Sequence, residues 1–234
     1  MISIILPTFN NEKTIADSIK SILNQTYRNF ELIVINDSST DKTKQIIKSF
    51  DDKRIIYLEN ARNLGGASSR NVGIKKAKGG YIAMMDGDDI AIPKRLEIQL
   101  NYLKNNLNID LVASNIVFFT NSKVSGVSDL KLYNPKKFRF YLRALGLPHP
   151  TWMARANFFK NFTCHSNIAS EDYELLLRAL EFSRYAVIKE PLLFYHVPNN
   201  IDIKYKLRLL YSGFLTRINF IKRNQLYHFF PLIL

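Results

Sequence analysis

The sequence predicts an α/β fold with a mainly parallel central sheet flanked by helices. Two observations support this prediction: short β-rich runs alternate with helical patterns along the first half of the chain, and the runs are continuously apolar. Strands that are buried on both faces have this continuous character, whereas strands with one solvated face alternate apolar and polar residues. Because alternating strands and helices form right-handed crossovers, most of the strands should run parallel.

Five strands and three helices are predicted in chain order. The strands are residues 2–6, 31–36, 54–58, 81–86 and 110–118. The helices are marked by apolar residues at helical spacing, first at Ile15, Ile19, Ile22 and Leu23, then at Leu96, Ile98, Leu100 and Leu103, and later at Tyr173, Leu176, Leu177 and Leu180.

Composition limits the class of protein. A chain of 234 residues that is 47% hydrophobic can bury one substantial core, with room for an appendage. Its single cysteine, Cys164, forms no internal disulfide and agrees with a reducing compartment. The N-terminal residues lack the features of a secretory signal, and no apolar run reaches the roughly 20 residues of a spanning helix. We therefore expect a cytoplasmic protein.

The positive charge is concentrated in the second half of the chain. Residues 1–130 carry 17 basic and 14 acidic side chains, whereas residues 131–234 carry 16 and 6. This excess indicates an anionic partner. The sequence has neither zinc-finger spacing nor an RNP-like aromatic signature, so we expect that partner not to be nucleic acid.

Polar residues follow three of the predicted strands, at 7–12, 36–41 and 86–89. The carboxyl ends of parallel strands meet at one edge of a sheet, where ligands of α/β proteins bind. We therefore expect the three clusters to form one site. Taken one at a time, Asn11 and residues 37–41 have an equally good interpretation as helix caps and Asx turns.

The last of these clusters places three carboxylates, Asp86, Asp88 and Asp89, within four positions. Their repulsion needs a compensating positive charge. Mg²⁺ or Mn²⁺ prefers oxygen ligands, takes one or two carboxylates from the protein and completes its shell with substrate phosphates. A solvated acidic turn is the alternative, and the spacing does not match an EF-hand loop.

Five motifs in order resemble family 2 glycosyltransferases with the GT-A fold, of the inverting, bacterial surface-polysaccharide type. They are P-T-F-N-N-E (7–12), V-I-N-D-S-S-T-D-K-T (34–43), N-L-G-G-A-S-S-R-N-V-G (63–73), M-D-G-D-D (85–89) and S-E-D-Y-E-L (170–175). The resemblance implies a Rossmann-like GT-A domain over residues 1–200, with a nucleotide-sugar half at 1–118 and an acceptor half at 119–200. Residues 201–234 would form a small helical extension.

The resemblance also assigns roles to residues. It implies that the donor nucleotide, a UDP-sugar, is held by Pro7, Thr8, Asn10, Glu12, Asp37, Asn63, Gly65, Arg70 and Asp86. Asp88 would bind the Mn²⁺ or Mg²⁺ ion, and Asp89 would support the donor sugar or the loop. An arginine fork suits phosphate or carbonyl oxygens, although Arg70 has an alternative interpretation as a surface salt bridge.

Glu171 and Asp172 open the third predicted helix. Acidic residues are favoured there by the helix dipole alone, which is one interpretation of the pair. The resemblance implies another, in which Asp172 is the catalytic base beside Glu171. It would take the acceptor proton while the acceptor oxygen displaces UDP in a single inverting step.

His149 and Trp152 join Asp89 as candidates on the acceptor or sugar side, and His196 is a candidate metal ligand. His149 and Trp152 lie beside a proline-defined turn, where Trp152 either stacks on a sugar or packs in the core. His196 stands where the family often has arginine, and it is either a metal ligand or a structural residue. The absence of a Q-x-x-R-W signature favours transfer of one or a few sugars over polymer synthesis.

The C-terminal segment 203–224 predicts a basic amphipathic helix. It has apolar residues at helical spacing and six basic residues without an acidic one. Such a helix, with the apolar tail that follows, can lie on an anionic membrane. Packing on the catalytic domain or a homodimer contact are the alternatives.

Together these patterns predict transfer from a nucleotide-sugar to a saccharide or lipid-linked saccharide, at the inner face of the cytoplasmic membrane. A sugar-nucleotide nucleotidyltransferase is the second candidate, but it would have a glycine-rich loop where this chain has P-T-F-N-N-E. A non-catalytic nucleotide-sugar-binding scaffold is the third.

Overall fold

The computed structural model describes residues 1–120, 123–130, 147–166, 168, 170–179, 182–198 and 203–223. Within these residues the elements are, in chain order, β1 (Ile2–Thr8), α1 (Ile15–Leu23), β2 (Phe30–Asn36), α2 (Thr43–Lys48), β3 (Ile55–Glu59), α3 (Gly66–Lys76), β4 (Tyr81–Met84), β5 (Ile90–Ala91), α4 (Arg95–Asn105), β6 (Leu111–Thr120), β7 (Lys123–Val127), a 3-10 helix (His149–Thr151), β8 (Met153–Arg155), α5 (Ala156–Asn161), α6 (Glu171–Ala179), β9 (Tyr185–His196) and α7 (Ile203–Arg223).

The strands form a single sheet in the order β3-β2-β1-β4-β8-β6-β9-β5, and β7 pairs with β6 outside this path. Strands β3, β2, β1 and β4 are parallel, and so are β6 and β9. The antiparallel pairings are those of β8, which lies between β4 and β6 and pairs with both, of β5 with β9, and of β7 with β6. The predicted α/β fold with a mainly parallel sheet is confirmed.

The core consists of two apolar layers, one on each face of the sheet. Strand β1 contributes to both, because Ile5 packs with Trp152 and Phe159 in one layer while Ile4 packs with Ile19 in the other. All seven residues of β1 and of β2 are buried. This burial on both faces explains why the first two strands are continuously apolar in sequence.

The predicted strands agree with the structure to within a few residues, and the fourth ends at Met84 rather than at residue 86. In the third predicted helix, α6, Tyr173, Leu176 and Leu177 are buried as expected, while position 180 lies outside the described residues. Cys164 is a free, buried cysteine. None of the described helices combines the length and the apolar character that crossing a bilayer requires.

Candidate active site

The loops that follow β1 and β2 are joined by hydrogen bonds. Asn10 accepts a 2.9 Å bond at Oδ1 from the Thr40 N–H, and its own N–H donates to Ser39 Oγ at 3.0 Å. Glu12 accepts a 3.0 Å bond at Oε2 from the Lys42 N–H, and its N–H donates to Asp41. Asn10 and Glu12 therefore fix one loop against the other.

The third polar loop, which contains the D-G-D-D sequence, is attached to the start of α1. Thr14 Oγ1 donates to the Gly87 carbonyl at 2.9 Å, and Ser18 Oγ donates to the Asp86 carbonyl at 3.0 Å. The prediction that the three clusters gather at one edge of the sheet is confirmed by these contacts. Of the alternative interpretations, the Asx turn holds for Asp41, whose Oδ1 accepts a bond from the Thr43 N–H, whereas Lys42, the N-cap of α2, makes no capping side-chain bond.

Asp37 is buried, and its carboxylate organises the loop before α3. Oδ1 accepts hydrogen bonds from Asn60 Nδ2 at 2.7 Å and from the Leu64 N–H at 2.9 Å, while Oδ2 accepts one from the Gly65 N–H at 2.8 Å. Gly65 adopts a φ of 84°, a left-handed conformation that suits glycine. Asp37 therefore holds residues 60–65 in place.

Arg70 lies at the centre of the site. Its guanidinium donates from Nη2 to Asp86 Oδ1 at 2.7 Å and from Nη1 to Glu171 Oε1 at 2.9 Å, and only 10% of its side chain is exposed. Burial alone would lower the Arg70 pKa, but the charges of Asp86 and Glu171 outweigh it and keep the pKa above the ordinary value. Arg70 thus forms salt bridges, as the alternative interpretation has it, but its guanidinium is buried and does not lie at the surface.

Glu171 and Asp172 have different surroundings, although they are neighbours at the start of α6. Glu171 is held by Arg70, whereas no Lys, Arg or His of the described residues forms an ion pair with Asp172. Asp172 Oδ1 accepts a 2.7 Å bond from the Tyr173 N–H. Burial raises the pKa of both carboxyl groups. Asp172 is therefore the acid of the pair that is free to accept a proton.

Asp88 and His196 lie side by side, with 3.4 Å between Oδ2 and Nδ1. Asp88 is 35% exposed, and burial followed by the charge of Asp86 raises its pKa. Among the described residues, no group of three or more His, Cys, Asp or Glu is arranged to hold a metal ion. The pair still fits an ion such as Mn²⁺ or Mg²⁺, which takes few protein ligands when a diphosphate supplies the others.

Asp89 points away from solvent, being 1% exposed. Its Oδ1 accepts a 2.9 Å bond from the His196 N–H, and Oδ2 has no hydrogen-bond partner among the described residues. Burial and the charges of Asp86 and Asp88 raise the Asp89 pKa well above the ordinary value. Of the two roles predicted for Asp89, support of the loop matches this environment.

Arg95 is a site-supporting residue that sequence reasoning missed. It is fully buried beneath the D-G-D-D loop and donates to the Met84 carbonyl at 2.7 Å and to Gln99 at 3.1 Å. Burial lowers its pKa to about 10, although the charge of Asp89 opposes that effect. Part of the positive charge that offsets the aspartates is thus supplied by Arg70 and Arg95.

His149 and Trp152 pack against each other, with ring centroids 4.3 Å apart. Trp152 is fully buried and donates its indole N–H to the Leu147 carbonyl at 3.1 Å, so core packing, rather than sugar stacking, describes it in this structure. His149 is 6% exposed, and its Nε2 has no partner among the described residues. Burial, with the nearby Arg70 charge, lowers the His149 pKa and keeps the imidazole neutral.

The other predicted nucleotide-binding residues occupy the same edge. Pro7 and Thr8 are the last two residues of β1, and Thr8 Oγ1 donates to Asn11 Oδ1 at 2.9 Å. Thr8 is paired in register with Asn36, so β1 and β2 end at the same level. Asn63 is exposed in the loop before α3.

Comparison with known proteins identifies the family of the chain. The model of glycosyl transferase family 2 matches residues 3–166. An uncharacterized glycosyltransferase of Methanocaldococcus jannaschii is 34% identical over 244 residues, covering 99% of this chain and 78% of the relative. The Escherichia coli protein WfgD, named as a UDP-Glc:α-D-GlcNAc-diphosphoundecaprenol β-1,3-glucosyltransferase, is 35% identical over 190 residues, covering 80% of this chain and 73% of WfgD.

Two solved structures share the fold. TarS of Staphylococcus aureus in complex with UDP superimposes with a TM-score of 0.72 at 22% identity, over 92% of this chain and 64% of TarS. The mannosyltransferase PcManGT of Pyrobaculum calidifontis, solved with GDP-Man and Mn²⁺, superimposes with a TM-score of 0.72 at 16% identity, over 93% of this chain and 64% of PcManGT. This chain thus spans slightly less than two thirds of each solved chain. It has the GT-A fold, and it is a glycosyltransferase that belongs to glycosyltransferase family 2.

Proposed function

We propose that the protein is an inverting, metal-dependent enzyme that transfers one sugar from a UDP-sugar to a hydroxyl group of a lipid-linked saccharide. The observation that carries this proposal is the bridge formed by Arg70, at 2.7 Å from Asp86 and 2.9 Å from Glu171. One guanidinium thereby joins the aspartate expected on the donor side to the acid pair expected on the acceptor side. A donor sugar and an acceptor hydroxyl would meet between them.

Asp172 performs the proton transfer in this proposal. Its carboxylate accepts the proton of the acceptor hydroxyl as that oxygen forms a bond to the anomeric carbon of the donor sugar. The bond from the anomeric carbon to the diphosphate oxygen breaks on the opposite side, and UDP leaves with the electron pair. A single displacement of this kind inverts the anomeric configuration. Glu171 is held by Arg70 and positions the start of α6.

Asp88, with His196 beside it, would hold a divalent ion. Such an ion, when bound, neutralises charge on the diphosphate and stabilises the departing oxygen. Asp86 is kept in place by Arg70 and would face the ribose. His149 Nε2, one of three buried polar atoms without a partner among the described residues, would bind a sugar hydroxyl.

The substrate classes are supported by the relatives. TarS was solved with UDP and with UDP-GlcNAc, and WfgD is named for UDP-Glc and a diphosphoundecaprenol-linked acceptor. PcManGT was solved with GDP-Man and Mn²⁺, so GDP-sugars are the donors to test against UDP-sugars. With a lipid-linked acceptor, the enzyme would work at the inner face of the cytoplasmic membrane.

A donor screen tests the proposal. UDP-Glc, UDP-GlcNAc, GDP-Man and a dTDP-sugar are each mixed with the enzyme and Mn²⁺, and binding is measured by calorimetry. We expect a UDP-sugar to bind, Asp88→Ala to abolish that binding, and Asp172→Asn to preserve it while removing transfer to an acceptor that carries a GlcNAc-diphosphate-lipid group. Asp17→Asn, on the exposed surface of α1, is the matched control and should change nothing.

Three results would contradict parts of the proposal. Binding of GDP-Man in place of every UDP-sugar overturns the donor assignment. Transfer by Asp172→Asn at the wild-type rate removes the base assignment. Retention of the donor's anomeric configuration in the product, read from proton NMR coupling constants, excludes the single displacement.

A further inference from the structure

Helix α7 exposes several of its apolar residues to solvent. Five of them are more than half exposed and form what we call the α7 stripe: Ile203 at 73%, Leu207 at 59%, Leu210 at 71%, Tyr211 at 65% and Phe214 at 55%. An ordinary surface helix turns such residues toward the core and its polar residues toward water. The described side chains of α7 therefore have the reverse of the usual arrangement.

The opposite side of α7 contacts the protein through small polar residues. Ser212 Oγ lies 3.2 Å from Ser170 Oγ, and Thr216 is only 8% exposed. Ser212 and Thr216 are one turn apart. At 100° per residue they fall on the side of the helix opposite Leu207 and Phe214. Packing against the catalytic domain, one of the alternatives, thus occurs through the polar side and leaves the α7 stripe uncovered by any described residue.

We propose that the α7 stripe docks the enzyme on an anionic lipid surface. The charge of α7 favours an anionic lipid surface as the partner of the stripe, because residues 203–223 contain six basic residues and no acidic residue. A lipid surface offers acyl chains to the stripe and anionic headgroups to the basic residues, which is how interfacial amphipathic helices bind. A second copy of α7 would instead bring another six positive charges to the same contact.

The position of α7 gives the docking a consequence for catalysis. Ser170, which touches Ser212, immediately precedes Glu171 and Asp172 at the start of α6. Docking through α7 therefore brings the acid pair close to the lipid headgroups, where the sugar of a lipid-linked acceptor lies. This consequence rests on the proposed function, whereas the docking itself does not.

Vesicle co-sedimentation of the 234-residue chain tests the docking without donor, acceptor or metal. We expect binding to vesicles of phosphatidylglycerol and phosphatidylcholine, much weaker binding to pure phosphatidylcholine, and release from the anionic vesicles at about 1 M salt, where charges are screened beyond roughly 3 Å. The double substitution Leu207→Gln with Leu210→Gln should lower the affinity for anionic vesicles about tenfold or more.

A matched double substitution controls for the loss of exposed apolar surface in general. Leu107, on the loop after α4, and Val124, on β7, are 80% and 62% exposed, and neither belongs to α7. Leu107→Gln with Val124→Gln should bind vesicles as the wild type does. Transfer to a water-soluble acceptor should be unchanged in the Leu207 and Leu210 variant, so a failure of docking is distinguishable from a failure of catalysis.

Two outcomes would overturn the proposal. In the first, the wild type sediments as a dimer, Leu207→Gln with Leu210→Gln makes it monomeric, and neither form binds vesicles; the stripe is then an interface between copies. In the second, the same double substitution lowers the midpoint of thermal unfolding and leaves vesicle binding unchanged, which means that another part of this chain covers the stripe.

Discussion

Gly87 lies so close to Thr8 that a methyl group added to its α-carbon would stand 2.9 Å from the Thr8 hydroxyl oxygen. Thr8 is 3% exposed, and its hydroxyl is already bonded to Asn11, which the added methyl would approach to 3.2 Å. A β-branched, buried side chain cannot rotate away from such a contact without losing its hydrogen bond. The residue between Asp86 and Asp88 is therefore limited to glycine by packing.

Gly87→Ala should displace the D-G-D-D loop and weaken donor binding. Overpacking of this kind costs about 1–3 kcal/mol, which corresponds to a roughly fivefold to 150-fold loss of UDP-sugar affinity if the loop takes up the strain. Gly80→Ala is the matched control, since a methyl group there meets no atom within 4 Å. Calorimetry with UDP-sugar and Mn²⁺ measures the effect, and equal affinities for the two variants would contradict it.

Asp37 and Asn60 together hold the loop of residues 60–65, and we expect Asp37 to act on the donor through this loop. Asn60→Ala removes the 2.7 Å bond to Asp37 Oδ1 without altering the carboxylate itself. We expect it to weaken UDP binding in the same direction as Asp37→Asn, and to destabilise the fold by about 1–2 kcal/mol, the cost of a lost buried hydrogen bond.

Asn106→Ala is the control for the Asn60 prediction. It removes an asparagine that bonds the Tyr102 carbonyl at the end of α4, away from the site, so its UDP affinity should equal that of the wild type. Unchanged UDP affinity in Asn60→Ala would show instead that Asp37 acts on the nucleotide directly.

Arg70 should be replaceable by neither methionine nor lysine. Arg70→Met leaves Asp86 and Glu171 without their cation, and we expect a loss of about 3 kcal/mol of unfolding free energy, at the low end for a broken buried pair because Asp86 keeps 28% of its side chain exposed. Arg70→Lys restores the charge but not the two-pronged geometry that reaches both carboxylates.

The lysine variant separates stability from positioning. Its midpoint of denaturant unfolding should return most of the way to that of the wild type, while its transfer rate stays low. Lys44→Met, which removes an exposed ion pair with Glu59, should alter neither quantity. Full transfer activity in Arg70→Lys would mean that the fork is not needed.

The first two strands could be predicted because β1 and β2 are buried on both faces. They are therefore apolar except at Ser3 and Glu31, which bond each other, and at the final Thr8 and Asn36. Helix α3 could not, since it approaches the sheet through small residues. Gly73 is so close that a methyl group there would lie 2.8 Å from both Ile5 and Ile35. A helical repeat of apolar residues appears in a sequence only where large apolar side chains pack between the helix and the sheet.

The sequence predicts which loops form the site, but it does not predict which side chains of the site contact each other. Strand ends identified the loops that carry Asn10, Asp37 and Asp86, because parallel strands finish at one edge. The ion pair between Arg70 and Glu171 spans 101 positions, and no local pattern signals it. Arg95 begins a helix and therefore has the sequence features of a surface residue, whereas its guanidinium is buried under the aspartates.

The pH dependence of transfer should report the environment of Asp172. Its pKa is raised above 3.8 by burial, while the Tyr173 N–H and the charge of Arg70 oppose the shift and that of Asp86 adds to it. A base must be deprotonated to accept a proton, so the rate at saturating substrates should fall as the pH falls through this raised pKa, at a higher pH than for an ordinary aspartate.

Variants of the three charged residues around the acceptor site decide which group causes that fall. Glu171→Gln should keep the fall in rate at low pH, because Asp172 and its raised pKa remain. Asp172→Asn should leave a small residual rate that does not fall in this pH range. Arg70→Met should move the fall to higher pH, since the positive charge that lowers the Asp172 pKa is gone. If the fall instead disappears in Glu171→Gln and persists in Asp172→Asn, then Glu171 takes the proton and the bridge to Arg70 holds the base itself.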